Sequence, residues 1–529
     1  MRSARHARRF RSIGAVVTAL VLVVGLTACS KVGTTTPRPT GTSVAQPTSA
    51  APTPAPDAVF ARPDPKLLAS QSAQLNVDGL SVTSLLVTHE LPGLAMGLDI
   101  VRGQVLRQRA WAGGGNLTVT PELVASSGKA VGVALCADGD AGRHTAVVWY
   151  DPTTNSPWAS PVLVAPAQWQ ALTAAVAALS GDQKDAALAQ LAEPSWPNGN
   201  GPAIAFNASG DLVVQFQTID GLALTPVLIA GDEAQPMLTE FGTRARAASR
   251  YPTPATAPQK FADPDPTLVG RPPAPDHKHG KKKSTEPTTP APSTTPSSTP
   301  VTDARPQLVL GVDCEVKKCV AITYDDGPVP QTVDLLKVLN ERKVPATFFV
   351  LGTSADNYPD VVTTTAAMGM QVASHNQVHH QMSATSGAKL DAQVSRSATT
   401  LRRLTGQDPL FLRPPYGAHN KASDAVVGKH GMAVALWSVD TLDWKFSTKS
   451  QDAAQAEILR NIRAQGGNGA VVLMHDIHAN SRASAPAVID ALQAEGYTLV
   501  TLAELAPQDY RFGRPFCKSP AVAKHGCGS

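Results

Sequence analysis

Beyond residue 307 the chain alternates between two patterns. Short apolar runs, CVAITY (319–324), ATFFVL (346–351), MQVAS (370–374), LFL (410–412), MAVALWSV (432–439), AVVLM (470–474) and YTLVTL (497–502), are separated by helix-patterned stretches such as QTVDLLKVLNERK (331–343) and DAQVSRSATTLRRLTG (391–406). Such alternation predicts an α/β fold of parallel strands covered by helices. Roughly seven strands predict a distorted (β/α) barrel. The reactive side chains fall on this pattern with one polarity. Asp325 and Asp326 follow the first run, His375 and His379 the third, Arg413 the fourth, Asp440 and Asp443 the fifth, and His475 the sixth. These are C-terminal strand ends, which in a barrel meet around one mouth.

The residue types at that mouth have a chemistry of their own. Two histidines four residues apart and one carboxylate make a three-ligand set for a catalytic divalent metal, leaving a position open for water. An ion so held lowers the pKa of water towards ~7. The second aspartate of the pair can then act as general base, and a histidine on the opposite wall can protonate a leaving group. The expected reaction is hydrolysis of an amide or ester. Taken singly, each residue has an ordinary reading: Asp325-Asp326-Gly327-Pro328 as a surface turn, Arg413 as a salt-bridge residue, His475 as a core histidine. Together they require five coincidences.

TYDDGP (323–328), SHNQVHH (374–380), RPPYG (413–417), DTLDW (440–444) and LMHDIH (473–478) stand in the order of the five motifs of NodB-type polysaccharide deacetylases, carbohydrate esterase family four, which residues 307–510 resemble. The resemblance implies that Asp325 is the base and that Asp326, His375 and His379 hold the metal, usually Zn2+, with Co2+ as another divalent candidate. It implies that Arg413 orients the base and that the backbone N–H of Tyr416 stabilises the oxyanion. Losing one such donor typically raises a barrier by about 3–4 kcal/mol. It further implies that Asp443 tethers and polarises the acid His475, while Trp444 and Leu473 wall an acetyl pocket. Two positions depart from the family. Asn376 stands where Ser or Thr is usual, and is expected to support the loop through its amide; Tyr324 replaces a common Phe. His380, His419 and His478 lie near the motifs and receive no role.

The first 28 residues read as an address. A basic start is followed by IGAVVTALVLVVGL (13–26), shorter than the ~20 residues a spanning helix needs and suited to a signal peptide. It ends in Leu26-Thr27-Ala28-Cys29, which resembles the lipobox of bacterial lipoproteins. The implied mature protein is extracytoplasmic and anchored to the cell membrane through lipid on Cys29; plain secretion is the alternative. The formal charge of +4 includes five arginines (2, 5, 8, 9 and 11) of this segment, and without them it is about −1. A chain so nearly neutral argues against nucleic acid as a partner.

Residues 29–65 form a Pro/Thr-rich stalk, and 251–306 repeat that composition with a basic knot, DHKHGKKK (276–283). Neither can bury a core. The knot reads as solvated linker or as a site of attraction to anionic polymer. Between them, 66–250 read as a separate α+β domain, with strand-like HTAVVWYD (144–151) and DLVVQFQ (211–217), a turn at Asn207–Gly210 and a helical stretch over 168–192. It shows no cluster of nucleophile and base. The segment AIAFNASGDLVVQFQTIDGLALTPVLIAGDEAQPML (203–238) resembles the extracellular domain of lysozyme-sensing anti-sigma factors, which implies wall or protein binding. An oxidising exterior permits disulfides within two close pairs, Cys314 with Cys319 and Cys517 with Cys527, the latter in the tail 511–529. Cys136 is left over and reads as a small buried hydrophobe.

The function expected from all this is N-deacetylation of cell-envelope polysaccharide, with peptidoglycan amino sugars as substrate. Two rivals remain: an O-deacetylase of xylan-type esters, and a wall- or lysozyme-binding sensor lipoprotein working through residues 66–250.

Overall fold

The computed structural model describes residues 58–87, 90–258, 260–262, 305–505 and 513–517. The segment expected to be a signal peptide, most of the expected stalk, the basic knot, Cys29 and Cys527 lie outside them.

The first half opens with six strands: β1 (Ser70–Val77), β2 (Leu80–Val87), β3 (Leu117–Ser126), β4 (Val131–Gly139), β5 (Gly142–Asp151) and β6 (Ser156–Trp158). They lie side by side in chain order, and every pairing is antiparallel except β2 with β3. A parallel pair needs a long crossover, and helix α1 (Pro92–Trp111) supplies it. A second, antiparallel sheet contains β7 (Ala203–Phe206), β8 (Leu212–Gln215) and β9 (Val227–Ile229). The expected turn joins β7 to β8, with Asn207 Oδ1 accepting from the amides of Ser209 and Asp211. The stretch read as one helix is two, Trp169–Leu179 and Lys184–Leu191, because the chain breaks at Ser180–Gln183.

The second half is a curled parallel sheet. Its strands are β10 (Cys319–Asp325), β11 (Thr347–Val350), β12 (Gln371–Ser374), β13 (Phe411–Leu412), β14 (Ala433–Ala435), β15 (Val439–Asp440), β16 (Ala470–His475), β17 (Thr498–Leu499) and β18 (Pro515–Phe516). The order is β15-β16-β10-β11-β12-β13-β14-β18, with β17 beside the start of β10. β10 is buried at every position, as expected of a strand covered on both faces. The run MAVALWSV is two strands, not one. β14 and β15 sit at opposite sides of the sheet order, yet only residues 436–438 separate them. So short a connection forces the sheet to curl until its two sides nearly meet. At this seam the Leu436 amide donates to Phe516 O (2.7 Å) and the Ser438 amide to Val471 O (3.0 Å).

The two halves are fused by α1, which the sequence reading did not identify. One face, including Leu94, Leu98, Val101 and Val105, joins the core under the six-stranded sheet. Another, Met96 and Ile100, packs with Cys319, Ala321, Phe349, Ala373 and Val471 of the barrel. A helix buried on two sides has no single apolar stripe, so periodicity does not reveal it. Its polar residues bind the barrel base. Arg102 donates to Gln407 Oε1 and Thr405 O (both 2.6 Å), and Arg107 to Gly369 O (3.0 Å) and Glu504 Oε1 (2.6 Å). Gly369, at φ 71°, is needed there, since a Cβ would lie 2.3 Å from Gly103 O.

Residues beyond 250 continue this body: the Thr253 amide donates to Ser126 O (2.9 Å) and the Ala262 amide to Thr153 O (2.8 Å). At 305 the chain is again on the first half, where Arg305 Nη1 donates to Val164 O (2.9 Å). Cys314 and Cys319 form the expected disulfide. Cys136 is buried as expected, but it is disulfide-bonded rather than a free thiol, as is Cys517.

Arg107 and Glu504 are 4% and 2% exposed, and the carboxylate also accepts from Thr501 N (2.8 Å) and Gln104 Nε2 (3.1 Å). Removing one member strands a buried charge, whereas replacing both by apolar groups does not. Glu504→Ala should therefore lower the unfolding free energy by about 3–5 kcal/mol in a denaturant titration. An Arg107→Met, Glu504→Leu double variant should recover most of that loss.

Candidate active site

The C-terminal ends of the barrel strands bring the motif residues to one rim. Asp325 closes β10 with Asp326 next to it, His375 follows β12, Arg413 follows β13, Asp440 closes β15, and His475 closes β16. The loops turn sharply there. Asp326 (φ 74°), Asn376 (66°), Tyr416 (62°) and Leu442 (57°) all adopt left-handed backbone, which costs non-glycine residues roughly 1–3 kcal/mol each and concentrates where a site dictates geometry. Gly327 permits the first of these turns to press against Asp476, because a Cβ there would lie 2.2 Å from Asp476 Oδ1.

Asp326 Oδ1 lies 3.2 Å from Nε2 of His375 and 3.2 Å from Nε2 of His379. His375 Nδ1 is 2.7 Å from Arg413 O, an acceptor, so that nitrogen carries the proton and a neutral ring turns its Nε2 lone pair towards Asp326. Burial alone would raise the Asp326 carboxyl, but with the facing rings protonated a hydrogen bond from His375 and the positive charges of His375, His379 and His475 outweigh it and hold it at about 2. With the rings neutral, the carboxylate oxygen and an imidazole lone pair confront each other at contact distance, and Asp326 Oδ1 is buried without a hydrogen-bond partner among the described residues. Acceptors converge this way around a cation. Two imidazole nitrogens and a carboxylate oxygen, all within 4.8 Å of one another, suit a tetrahedral divalent ion with one position left over.

On one wall Asp325, 3% exposed, accepts from Arg413 Nη1 (2.7 Å). Arg413 is fully buried: it also donates to Thr323 Oγ1 (2.8 Å) and Leu436 O (3.1 Å), and its guanidinium lies 3.9 Å from the centre of the Phe349 ring. On the other wall His475 Nδ1 pairs with Asp443 Oδ1 (2.8 Å), while the His475 amide donates to Asp443 Oδ2 (2.7 Å). Burial opposes a charged imidazole, but the bond to Asp443 and the charges of Asp443, Asp325 and Asp326 prevail and raise His475 to about 9. Asp443 is held low against its burial by the same contact.

The pocket between these walls has a volume of about 430 Å³, and Pro414, Tyr416, Trp437, Asp440, Trp444 and Leu473 complete its lining. Tyr416 and Trp444 are largely exposed at its lip, and the Tyr416 ring stands edge-on to His379 at 4.3 Å. Asn376 supports its loop through Nδ2, which donates to Gln393 Oε1 (3.1 Å). Every motif residue singled out from sequence therefore falls at this rim or just beneath it. Of the histidines given no role, His419 pairs with Asp424 (2.9 Å) and His478 lies 5.9 Å, ring to ring, from His475. Sequence reasoning missed Thr323, which anchors Arg413, and Asp476, which accepts from Thr332 Oγ1 beneath the Asp326 turn. Both sit inside quoted motifs, but nothing in their spacing marks them as supports.

Residues 313–435 match the polysaccharide deacetylase family. The peptidoglycan-N-acetylglucosamine deacetylase PgdA of Listeria monocytogenes is 35% identical over 203 residues, 38% of this chain and 42% of the relative. The peptidoglycan-N-acetylmuramic acid deacetylase PdaC of Bacillus subtilis is 34% identical over 36% of this chain and 39% of its own. The chain thus spans less than half the length of either relative. A peptidoglycan-N-acetylglucosamine deacetylase of Bacillus cereus is 31% identical over 34% of this chain and 68% of that protein. With the site's geometry, these likenesses lead to one conclusion: the chain belongs to the polysaccharide deacetylase family.

Proposed function

We propose that this protein is a zinc-dependent hydrolase that removes N-acetyl groups from peptidoglycan amino sugars outside the cell. The observation that carries the reading is the confrontation of Asp326 with two imidazoles, flanked by a buried Asp325–Arg413 pair on one side and a His475–Asp443 pair on the other. The names of the relatives support a peptidoglycan substrate and divide between its two sugars.

Asp326, His375 and His379 would hold the zinc ion, which would supply Lewis-acid chemistry towards an acetyl carbonyl and water. The remaining work belongs to the chain. Asp325, kept oriented by Arg413, takes the proton from the attacking water. The Tyr416 amide donates to the oxygen that becomes negative. His475 enters as imidazolium and gives its proton to the departing amine, so the sugar leaves with a free amino group and the acyl group as acetate. Asp443 keeps the imidazole turned and charged. Leu473 and Trp444 leave room for a methyl group and shield it from water.

Chelation should abolish acetate release from purified peptidoglycan, and added zinc or cobalt should restore it; a rate that survives complete metal removal excludes the mechanism. Asp325→Asn should bind zinc like the parent while turning over about a thousandfold more slowly. Acetate from acetylxylan but not from N-acetylglucosamine oligomers would mark an ester hydrolase instead.

The pH dependence has a definite sign. His475 is raised, so its proton is present at neutral pH and is lost as pH climbs through its own pKa. In Asp443→Asn that support is gone, and the alkaline limb of kcat/KM should move to lower pH. An alkaline limb unchanged in this variant removes His475 as the acid.

We further propose that Cys29 carries the lipid that holds the protein at the membrane, on the strength of Leu26-Thr27-Ala28-Cys29 behind its apolar run. Cys29→Ser should then shift the protein from the membrane fraction to the soluble fraction; a variant still sedimenting with membranes overturns the anchor.

A further inference from the structure

The catalytic pocket does not end at its own rim. A second trough, lined by His379, His380, Gln381, Thr385, Ser386, Lys389 and neighbours, shares His379 and Tyr416 with it. The two cavities are therefore successive sections of one groove, as a linear polymer requires when one of its sugars sits over the reacting centre.

The two sections differ in chemistry. The catalytic section carries carboxylates and indoles, including Asp440, Trp437 and Trp444. The trough carries Lys389 and two imidazoles, and no carboxylate is among its lining residues. Lys389 is exposed and forms no ion pair among the described residues. Asp391, the nearest acid along the chain, is already engaged by Lys429 (2.9 Å), the last residue of the neighbouring helix Lys421–Lys429, and by His430 (2.8 Å) just past its end. Lys389 also lies in the first turn of the helix Gly387–Thr405, a turn without acidic residues to neutralise it. A cation is disfavoured in that position, where acids normally sit. A local rule broken beside an active site, with no compensating acid among the described residues, is the kind of departure expected at a functional site.

We propose that this trough is a specificity subsite for a carboxylate-bearing sugar unit next to the sugar being deacetylated, with Lys389 as its recognition group. It rests on the deacetylase reading and narrows it to anionic glycan strands. The carboxylate has two possible sources in peptidoglycan, the lactyl group of a muramic acid freed of its peptide or the peptide attached there, and both present the same chemistry to Lys389.

The test measures kcat/KM for acetate release by the full-length zinc enzyme on three substrates: neutral chitooligosaccharides, peptide-free glycan strands and peptide-bearing strands. Lys389→Ala should lower the preference for an anionic strand over chitooligosaccharide by about three- to fivefold, as suits an exposed ion pair. Lys389→Glu should lower it further, Lys389→Arg should keep it, and the preference of the parent should shrink at high ionic strength. A change confined to peptide-free strands identifies the lactyl carboxylate, and one confined to peptide-bearing strands identifies the peptide. If chitooligosaccharides are deacetylated and the ratio is the same in the parent and all three variants, the subsite is overturned while the deacetylase reading stands. If no substrate yields acetate, both fall.

Discussion

The buried guanidinium of Arg413 is the junction on which the site depends. Its Nη1 holds Asp325, its Nη2 reaches Leu436 O at the barrel seam, and its plane lies against Phe349. Its own carbonyl oxygen accepts from His375 Nδ1 and so decides which nitrogen that ring presents to Asp326. One residue thereby fixes the orientation of the Asp325 carboxylate and the tautomer of the His375 imidazole beside Asp326. A charge so deeply buried is tolerable because its two terminal nitrogens meet a carboxylate, a hydroxyl and a carbonyl and its plane an aromatic ring, leaving Nε without a partner among the described residues. Lysine, with a single point of charge on a flexible stem, has no means of making these contacts together.

Asymmetry between the two carboxylate–base pairs follows from their surroundings. Asp325 faces a permanent cation, Arg413, while Asp443 faces His475, whose charge depends on Asp443 itself. On the proposed mechanism the first carboxylate takes a proton from water, and the second holds the imidazole that gives one. The same residue type would then serve opposite ends of a hydrolysis because one partner never titrates and the other does.

The site was largely legible in the sequence, and the fold only in part. Asp325, Asp326, His375, His379, Arg413 and His475 each stand at the end of an apolar run, and a parallel sheet sends all such ends the same way. What stayed hidden has physical causes. MAVALWSV reads as one strand because continuous hydrophobicity carries no mark of where a ladder stops. Helix α1 escaped notice because it is buried on two sides, so Gly93, Arg102, Gln104 and Arg107 interrupt any apolar stripe while meeting partners that only the tertiary structure supplies. The left-handed backbone at Leu442 is likewise imposed by its loop and not by the preference of the residue.

Helix α1 also changes the meaning of the Pro-rich stretch between the two halves. Ala262 lies beside Thr153 and Arg305 beside Val164, both on the first half. The stretch therefore starts from and ends on one and the same body, and the number of residues between these two points does not set how far the catalytic mouth stands from the six-stranded sheet. That separation belongs to a helix clamped between two cores, which acts as a strut where the composition of the sequence would have placed a tether.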